Sequence, residues 1–149
     1  MNIVGLITEY NPFHNGHLYH IQEAKRVTGA DAAVVIMSGN FVQRGTPAIM
    51  PKHLRVKAAL LSGADLVLEL PVCFATGSAE FFSMGSVALL DSLGCIDSIC
   101  FGSECGDSKT LGKIARILAE EPGDYKNVLQ DALRKGVSFP QARQTALTQ

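Results

Sequence analysis

The chain has 149 residues, with 13 Lys+Arg against 14 Asp+Glu and a formal net charge of −1. That length suits one domain spanning 1–149, able to bury roughly two-thirds of its unfolded surface, and 47% apolar against 18% charged residues excludes a disordered chain. A near-neutral balance excludes the clustered basic surface with which a domain grips nucleic acid unaided, so an RNA substrate would have to be held by residues outside these.

In chain order, Ile3 to Thr8 is a short apolar run without a basic flank, which predicts a buried strand and not a signal peptide. A Pro-containing loop follows, then a helix from about Gly16 to Val27 that ends near Gly29. Asp31 to Met37 predicts a second buried strand. Ser38 to Lys52 is a long polar connection with two glycines and two prolines, a length more often functional than accidental. His53 to Ser62 predicts a helix closed by Gly63, and Ala64 to Leu70 a third strand stopped by Pro71. Ala79 to Leu93 has apolar residues at helical spacing (Phe82, Val87, Leu90, Leu93), and Ile96 to Phe101 predicts a fourth strand before a tight turn at Gly102-Ser103-Glu104. Helices are expected at Ser108 to Glu120 and Tyr125 to Lys135, with one more starting at Ser138-Phe139-Pro140.

Strand–helix alternation with unbroken apolar strands predicts an α/β fold, a Rossmann-like parallel sheet flanked by helices. Ligands of such sheets bind beyond the carboxyl ends of the strands. No apolar run approaches the ~20 residues that span a bilayer, so no membrane association and a cytoplasmic location are expected. Cys73, Cys95, Cys100 and Cys105 contain no CxxC pair and read as small core or loop residues.

The loop after the first strand, Thr8-Glu9-Tyr10-Asn11-Pro12-Phe13-His14-Asn15-Gly16-His17, has neither a Walker A loop nor GxGxxG. It has H-x-G-H where a strand hands over to a helix, a pattern expected by chance in fewer than ~1 chain in 100 of this length. Gly16 would let a nucleotide approach the backbone, and the helix terminus would add free N–H groups and the positive dipole end. His14 and His17 face that point and are the expected catalytic residues, donating to α-phosphate oxygens that gain charge in adenylyl transfer. Zinc binding by His14, His17 and His20 is the rival reading of these residues, without an H-E-x-x-H pattern or a nearby Cys to support it.

N-P-F-H-x-G-H after a first strand resembles the HIGH-motif nucleotidylyltransferases. With Gly5–His20, Met37–Gly45 (M-S-G-N-F-V-Q-R-G), Ala64–Pro71 (A-D-L-V-L-E-L-P) and Phe101–Glu104 (F-G-S-E), essentially the whole chain resembles the family of bacterial tRNA(Met) cytidine acetate ligases. The resemblance implies condensation of ATP and acetate to acetyl-adenylate, then transfer of the acetyl group to N4 of the wobble cytidine of elongator tRNA(Met). It places ATP binding on Ile7, Thr8, Glu9, Tyr10, Asn11, Pro12, Phe13, His14, Asn15, Gly16, His17, Leu18, Tyr19 and His20, with a later contact at Gly102. These ligases continue well past residue 149 with a KMSKS-like loop and most of the tRNA-gripping surface, so this chain is expected to be a C-terminally shortened form, inactive on tRNA by itself. The resemblance does not settle the oligomeric state.

Position alone adds Ser38, Asn40 and Arg44 as substrate contacts, with Arg44 able to pair with acetate or phosphate. Glu69, inside V-L-E-L-P, is expected near the site or against a cation, and Glu80 with Phe81-Phe82 either lines the cavity or forms a helix start and core. Mg²⁺ accompanies ATP commonly, but no carboxylate cluster in the sequence marks a metal site. Two alternatives stay open: a stand-alone small-molecule nucleotidylyltransferase of the pantetheine-phosphate adenylyltransferase type, and a non-catalytic nucleotide-binding domain.

Overall fold

The computed structural model describes residues 1–148. Four parallel strands, β1 (Ile3–Thr8), β2 (Ala32–Ser38), β3 (Leu66–Leu70) and β4 (Ser98–Ile99), lie in the order β3-β2-β1-β4. Between them come α1 (Asn15–Thr28), α2 (Lys52–Leu61), the short α3 (Val72–Ala75) and α4 (Ala79–Ser92). The long connection after β2 contains a tight turn at Gln43–Gly45, with Arg44 in the left-handed region.

The strands alternate side chains to two apolar layers, because successive Cβ atoms point to opposite faces. One layer joins Val4, Leu6, Val35 and Met37 to Ile21 and Ala24 of α1 and Ala59 of α2. The other joins Ile3, Val34 and Ile36 to Ala75 of α3 and to Phe82 and Leu90 of α4. Both faces of β1 and β2 are therefore covered, as continuous apolar strands require. Each fully enclosed Val, Leu or Ile stabilises this arrangement by about 1.5–3 kcal/mol. Carboxylates fix the starts of the strands: Asp97 accepts from the Ile3 amide at 2.8 Å, and Asp65 accepts from the Ala33 amide at 2.8 Å while pairing with Lys25 at 2.6 Å.

β3 is an edge strand, and Leu66 is 44% exposed. Two expectations change. β4 pairs only through Ser98 and Ile99, since the chain leaves the sheet after the Cys100 amide bonds the Gly5 carbonyl and Phe101 turns to solvent. On α4, Phe82 and Leu90 are buried but Val87 and Leu93 are exposed. The buried stripe is completed by Gly85 and Ser86.

Contacts divide the chain into two compact units, Met1–Gly102 and Ser103–Gln149. The sheet and its four helices form the first. The second holds α5 (Ser108–Glu120), α6 (Gly123–Arg134) and α7 (Phe139–Leu147). Asp107 caps α5 by accepting from the Lys109 amide at 2.9 Å. Within this unit α6 and α7 pack together, with Tyr125, Ala142 and Ala146 buried, whereas α5 encloses no residue fully. The boundary falls in a Gly- and Ser-containing turn too short for its composition to mark it in the sequence.

Candidate functional site

The chain runs from β1 to β2 and β3 on one side, then crosses to β4 on the other side of β1. The loops after β1 and β4 therefore diverge, and the crevice between them is where a parallel sheet holds a ligand. The β1 loop carries the H-x-G-H residues, and Gly102 lies just past β4, where an added Cβ would meet open space.

Beyond Thr8 the chain reverses at Tyr10, whose φ of 50° is in the left-handed region, and continues through a cis Asn11–Pro12 bond. This turn buries the Tyr10 ring completely. Its centroid is 4.8 Å from those of Phe13 and His17, edge-on to both, and His17 stacks on His14 at 3.7 Å. An aromatic column thus runs from the core to the exposed His14. The Tyr10 hydroxyl is enclosed without a hydrogen-bond partner, and burial pushes its pKa up to about 12. At neutral pH the phenol is protonated, and its ring packs against His17.

His14 is the N-cap of α1. Its Nδ1 accepts from the Gly16 amide at 3.1 Å, and the His14 amide donates back to Nδ1 of His17 at 3.3 Å. Two imidazoles here replace the Ser/Thr and Glu of a usual reciprocal cap. An Nδ1 that accepts carries no proton, so each neutral ring bears its proton on Nε2. Neither Nε2 has a protein partner among the described residues. The pair in this arrangement presents two N–H donors. Burial, then the neighbouring His14 and His20, hold His17 below the usual histidine range.

Two features of the packing shape this turn. A Cβ on Gly16 would lie 2.9 Å from Cε1 and 3.1 Å from Nδ1 of His14, so the missing side chain makes room for the His14 ring. The helix terminus is also less open than expected. The Gly16 amide is taken by His14 Nδ1, and the His17 and Leu18 amides bond the His14 carbonyl at 2.9 and 3.2 Å. The Nε2–H groups of the imidazoles add to what donation this turn retains.

The remaining candidates divide by environment. Ile7 and Thr8 are strand residues, with the Thr8 hydroxyl donating to the Ile36 carbonyl at 3.5 Å. Glu9 accepts from the Gln43 amide and Asn11 from the Ile49 amide, both at 2.7 Å, so these two side chains lace the β1 loop to the long loop after β2. Pro12, Asn15 and Tyr19 are exposed, and Leu18 is half-buried. His20 is half-buried with Nε2 enclosed and unpartnered. Burial holds it below the usual range, opposed by the Cys100 backbone.

Ser38 is fully enclosed, its hydroxyl without a partner, while Asn40 and Arg44 are exposed. Arg44 has a φ of 66° at the tip of the loop, with its amide on the Gly77 carbonyl at 3.4 Å. Glu69 pairs with Lys52 at 2.6 Å and seats against Gly39, where any Cβ would collide with its carboxylate. A cavity of about 160 Å³ opens beside them, lined by Gly39, Asn40, Phe41, Glu69, Leu70 and Val72. Glu80 and Phe81 are exposed on the first turn of α4, and Phe82 is core. Of the cysteines, Cys100 is half-buried and the other three are exposed. Among the described residues no group of three His, Cys, Asp or Glu side chains is placed to hold a metal, and no helix is long and apolar enough to cross a membrane.

Sequence reasoning missed Arg55, which is 1% exposed on α2. A signal was present: Arg55 stands one turn before the buried Ala59, on the stripe that faces the core.

Comparison with known proteins adds the following. A sequence model of the family described as HIGH Nucleotidyl Transferase matches residues 1–149. The tRNA(Met) cytidine acetate ligase of Acetivibrio thermocellus is 58% identical over 147 residues, covering 99% of this chain and 35% of that protein. That of Clostridium novyi is 57% identical over 149 residues, 100% of this chain and 37% of that protein. The chain thus spans little more than a third of the length of these relatives. The crystal structure of Thermotoga maritima TmcAL bound with alpha-thio ATP is similar over 99% of this chain and 36% of its own, with 49% identity and a TM-score of 0.93.

Proposed function

The chain belongs to the HIGH nucleotidyl transferase family, and from that premise we propose that it forms the ATP-binding, adenylate-forming part of a tRNA(Met) cytidine acetate ligase. One observation carries the reading. His14 and His17 spend Nδ1 on backbone amides and keep Nε2–H available at the turn between β1 and α1. The relatives named as tRNA(Met) cytidine acetate ligases and the alpha-thio ATP complex support the choice of substrates.

In the proposed reaction an acetate oxygen attacks the α-phosphorus of ATP and pyrophosphate leaves. Charge grows on the α-phosphate oxygens, where two fixed N–H donors stabilise it without reorganising. The amine N4 of the wobble cytidine then attacks the acetyl carbonyl, AMP departs, and the N4 proton is released. Residues Ile7 to His20 and Gly102 form the nucleotide site. Asn40 and Arg44, both facing solvent, lie on the acetate or phosphate side, with Ser38 enclosed behind them. Arg44 supplies the planar fork that suits a carboxylate. Mg²⁺ would arrive with the nucleotide phosphates, because the nearby acids are engaged: Glu9 holds the Gln43 amide and Glu69 holds Lys52. Elongator tRNA(Met) is gripped largely by residues outside this near-neutral chain, and the enzyme works in the cytoplasm.

The test is acetate-driven ATP–pyrophosphate exchange by the full-length protein. Exchange that depends on acetate, together with acetylation of cytidine in tRNA(Met), is the expected result. Exchange driven by phosphopantetheine and not by acetate would replace this reading with that of a small-molecule adenylyltransferase. ATP binding without exchange under either condition would leave a non-catalytic nucleotide-binding domain.

A further inference from the structure

The largest fully enclosed side chain of the molecule is a cation that no step above uses. Arg55 sits on α2 with 1% of its surface exposed, and none of its bonds is to a carboxylate. Its Nη1 donates to the Glu9 carbonyl at 2.6 Å and to the Ser38 carbonyl at 3.1 Å. Its Nη2 donates to the Gly39 carbonyl, and its Nε to the Met50 carbonyl at 3.1 Å. Burial holds its pKa below the usual guanidinium range, and the nearby Glu9 and Glu69 charges oppose that shift.

The four acceptors are informative because of where they lie. Glu9 is the first residue beyond β1, on the loop that carries His14 and His17. Ser38 and Gly39 are the exit of β2, and Met50 closes the long loop that presents Asn40 and Arg44. One planar group thus joins the ends of two adjacent strands and both feet of that loop. The outer part of the loop is laced to the β1 loop through the Glu9 and Asn11 side chains. A fork with five donors can span such a set, whereas an ammonium radiates from one point and cannot.

We propose that Arg55 is a positioning residue for the nucleotide site, a clamp that sets the long loop after β2 against the histidine loop after β1. The proposal rests on the ATP-binding reading given above. It says that loss of the fork releases the loop that carries Arg44 and weakens ATP binding, while the sheet remains folded.

The experiment compares the full-length wild type with Arg55→Lys and Arg55→Gln. Unfolding curves establish that each variant is folded. ATP titration and the KM and kcat of pyrophosphate exchange read the site, and timed trypsin cleavage after Arg44 reads the loop. The folded variants are expected to show at least a tenfold higher KM for ATP. Cleavage after Arg44 should be at least tenfold faster, with other tryptic sites unchanged and Lys milder than Gln. A folded variant that loses stability yet keeps the wild-type KM and the wild-type Arg44 cleavage overturns the clamp. If neither variant folds, wild type decides through its Arg55 guanidinium protons: slow exchange with a shift on adding ATP supports the proposal, and fast exchange or no response to ATP overturns it. Failure of the ATP reading looks different, since wild type itself would then bind no ATP. The Arg44 cleavage contrast would still test the clamp.

Discussion

His14 caps a helix through Nδ1, and in the proposed site the same ring would offer Nε2–H to the nucleotide. The two jobs are separable by substitution, because asparagine is among the best N-caps but lacks an imidazole. His14→Ala should lower stability by about 1 kcal/mol and, by removing a donor, lower kcat of pyrophosphate exchange by about 10²-fold. His14→Asn should return stability to within about 0.5 kcal/mol of wild type and leave the rate defect in place. Urea unfolding beside pyrophosphate exchange checks this, and recovery of the rate by Asn would remove His14 from the chemistry. The H-x-G-H spacing made these histidines legible in the sequence. What the spacing did not reveal is that both Nδ1 atoms are spent on amides, which selects the tautomer. The spacing also did not reveal that Gly16 lies against the ring of His14, two residues back.

At the scale of elements, the strands on the inside of the sheet were legible and the peripheral ones less so. β1 matches its expected span because every residue in it is apolar or small and both of its faces are covered. Apolar content could not distinguish β3 from it, since an edge position depends on which strand lies beyond, a property of the whole sheet. α3 was missed because four residues after a proline carry no periodicity. Its role is visible in packing, where Phe74 fills the space that a side chain at Gly85 of α4 would need. Gly85→Val should therefore destabilise the protein by about 2 kcal/mol through overpacking between α3 and α4. Thermal unfolding checks it, and a variant as stable as wild type would mean that this contact yields easily.

For the molecule as a whole, the histidines of α1 tie stability to pH. His17 and His20 both have pKa values lowered in the folded state, chiefly by burial. The unfolded chain then binds more protons between those folded values and about 6.5. Stability should be complete above about 6.5 and fall as pH drops below it, levelling off beneath the folded values. Urea midpoints between pH 7.5 and 5 should show this decline, and a double His17→Gln, His20→Gln variant should flatten it. A wild-type midpoint that rises on acidification would contradict the burial of these rings. Charge also has a meaning at this scale. A net −1 gives the chain no overall excess of positive charge, and it covers 35–37% of the length of the curated relatives.

The sequence by itself determined the α/β class, the place of the H-x-G-H turn after the first strand and the resemblance to tRNA(Met) cytidine acetate ligases. All three are written in local order, as apolar runs, a turn and short blocks of fixed spacing. The tertiary structure alone decided that Arg55 gathers carbonyls from three chain segments, that Ser38 is enclosed while Arg44 is exposed, and that Glu9 and Asn11 hold the long loop. Those facts depend on residues far apart in the chain and adjacent only once the parallel sheet has formed. Local propensity carries no record of them. A buried cation is tolerated where the fold surrounds it with acceptors, and only the folded chain shows which acceptors those are.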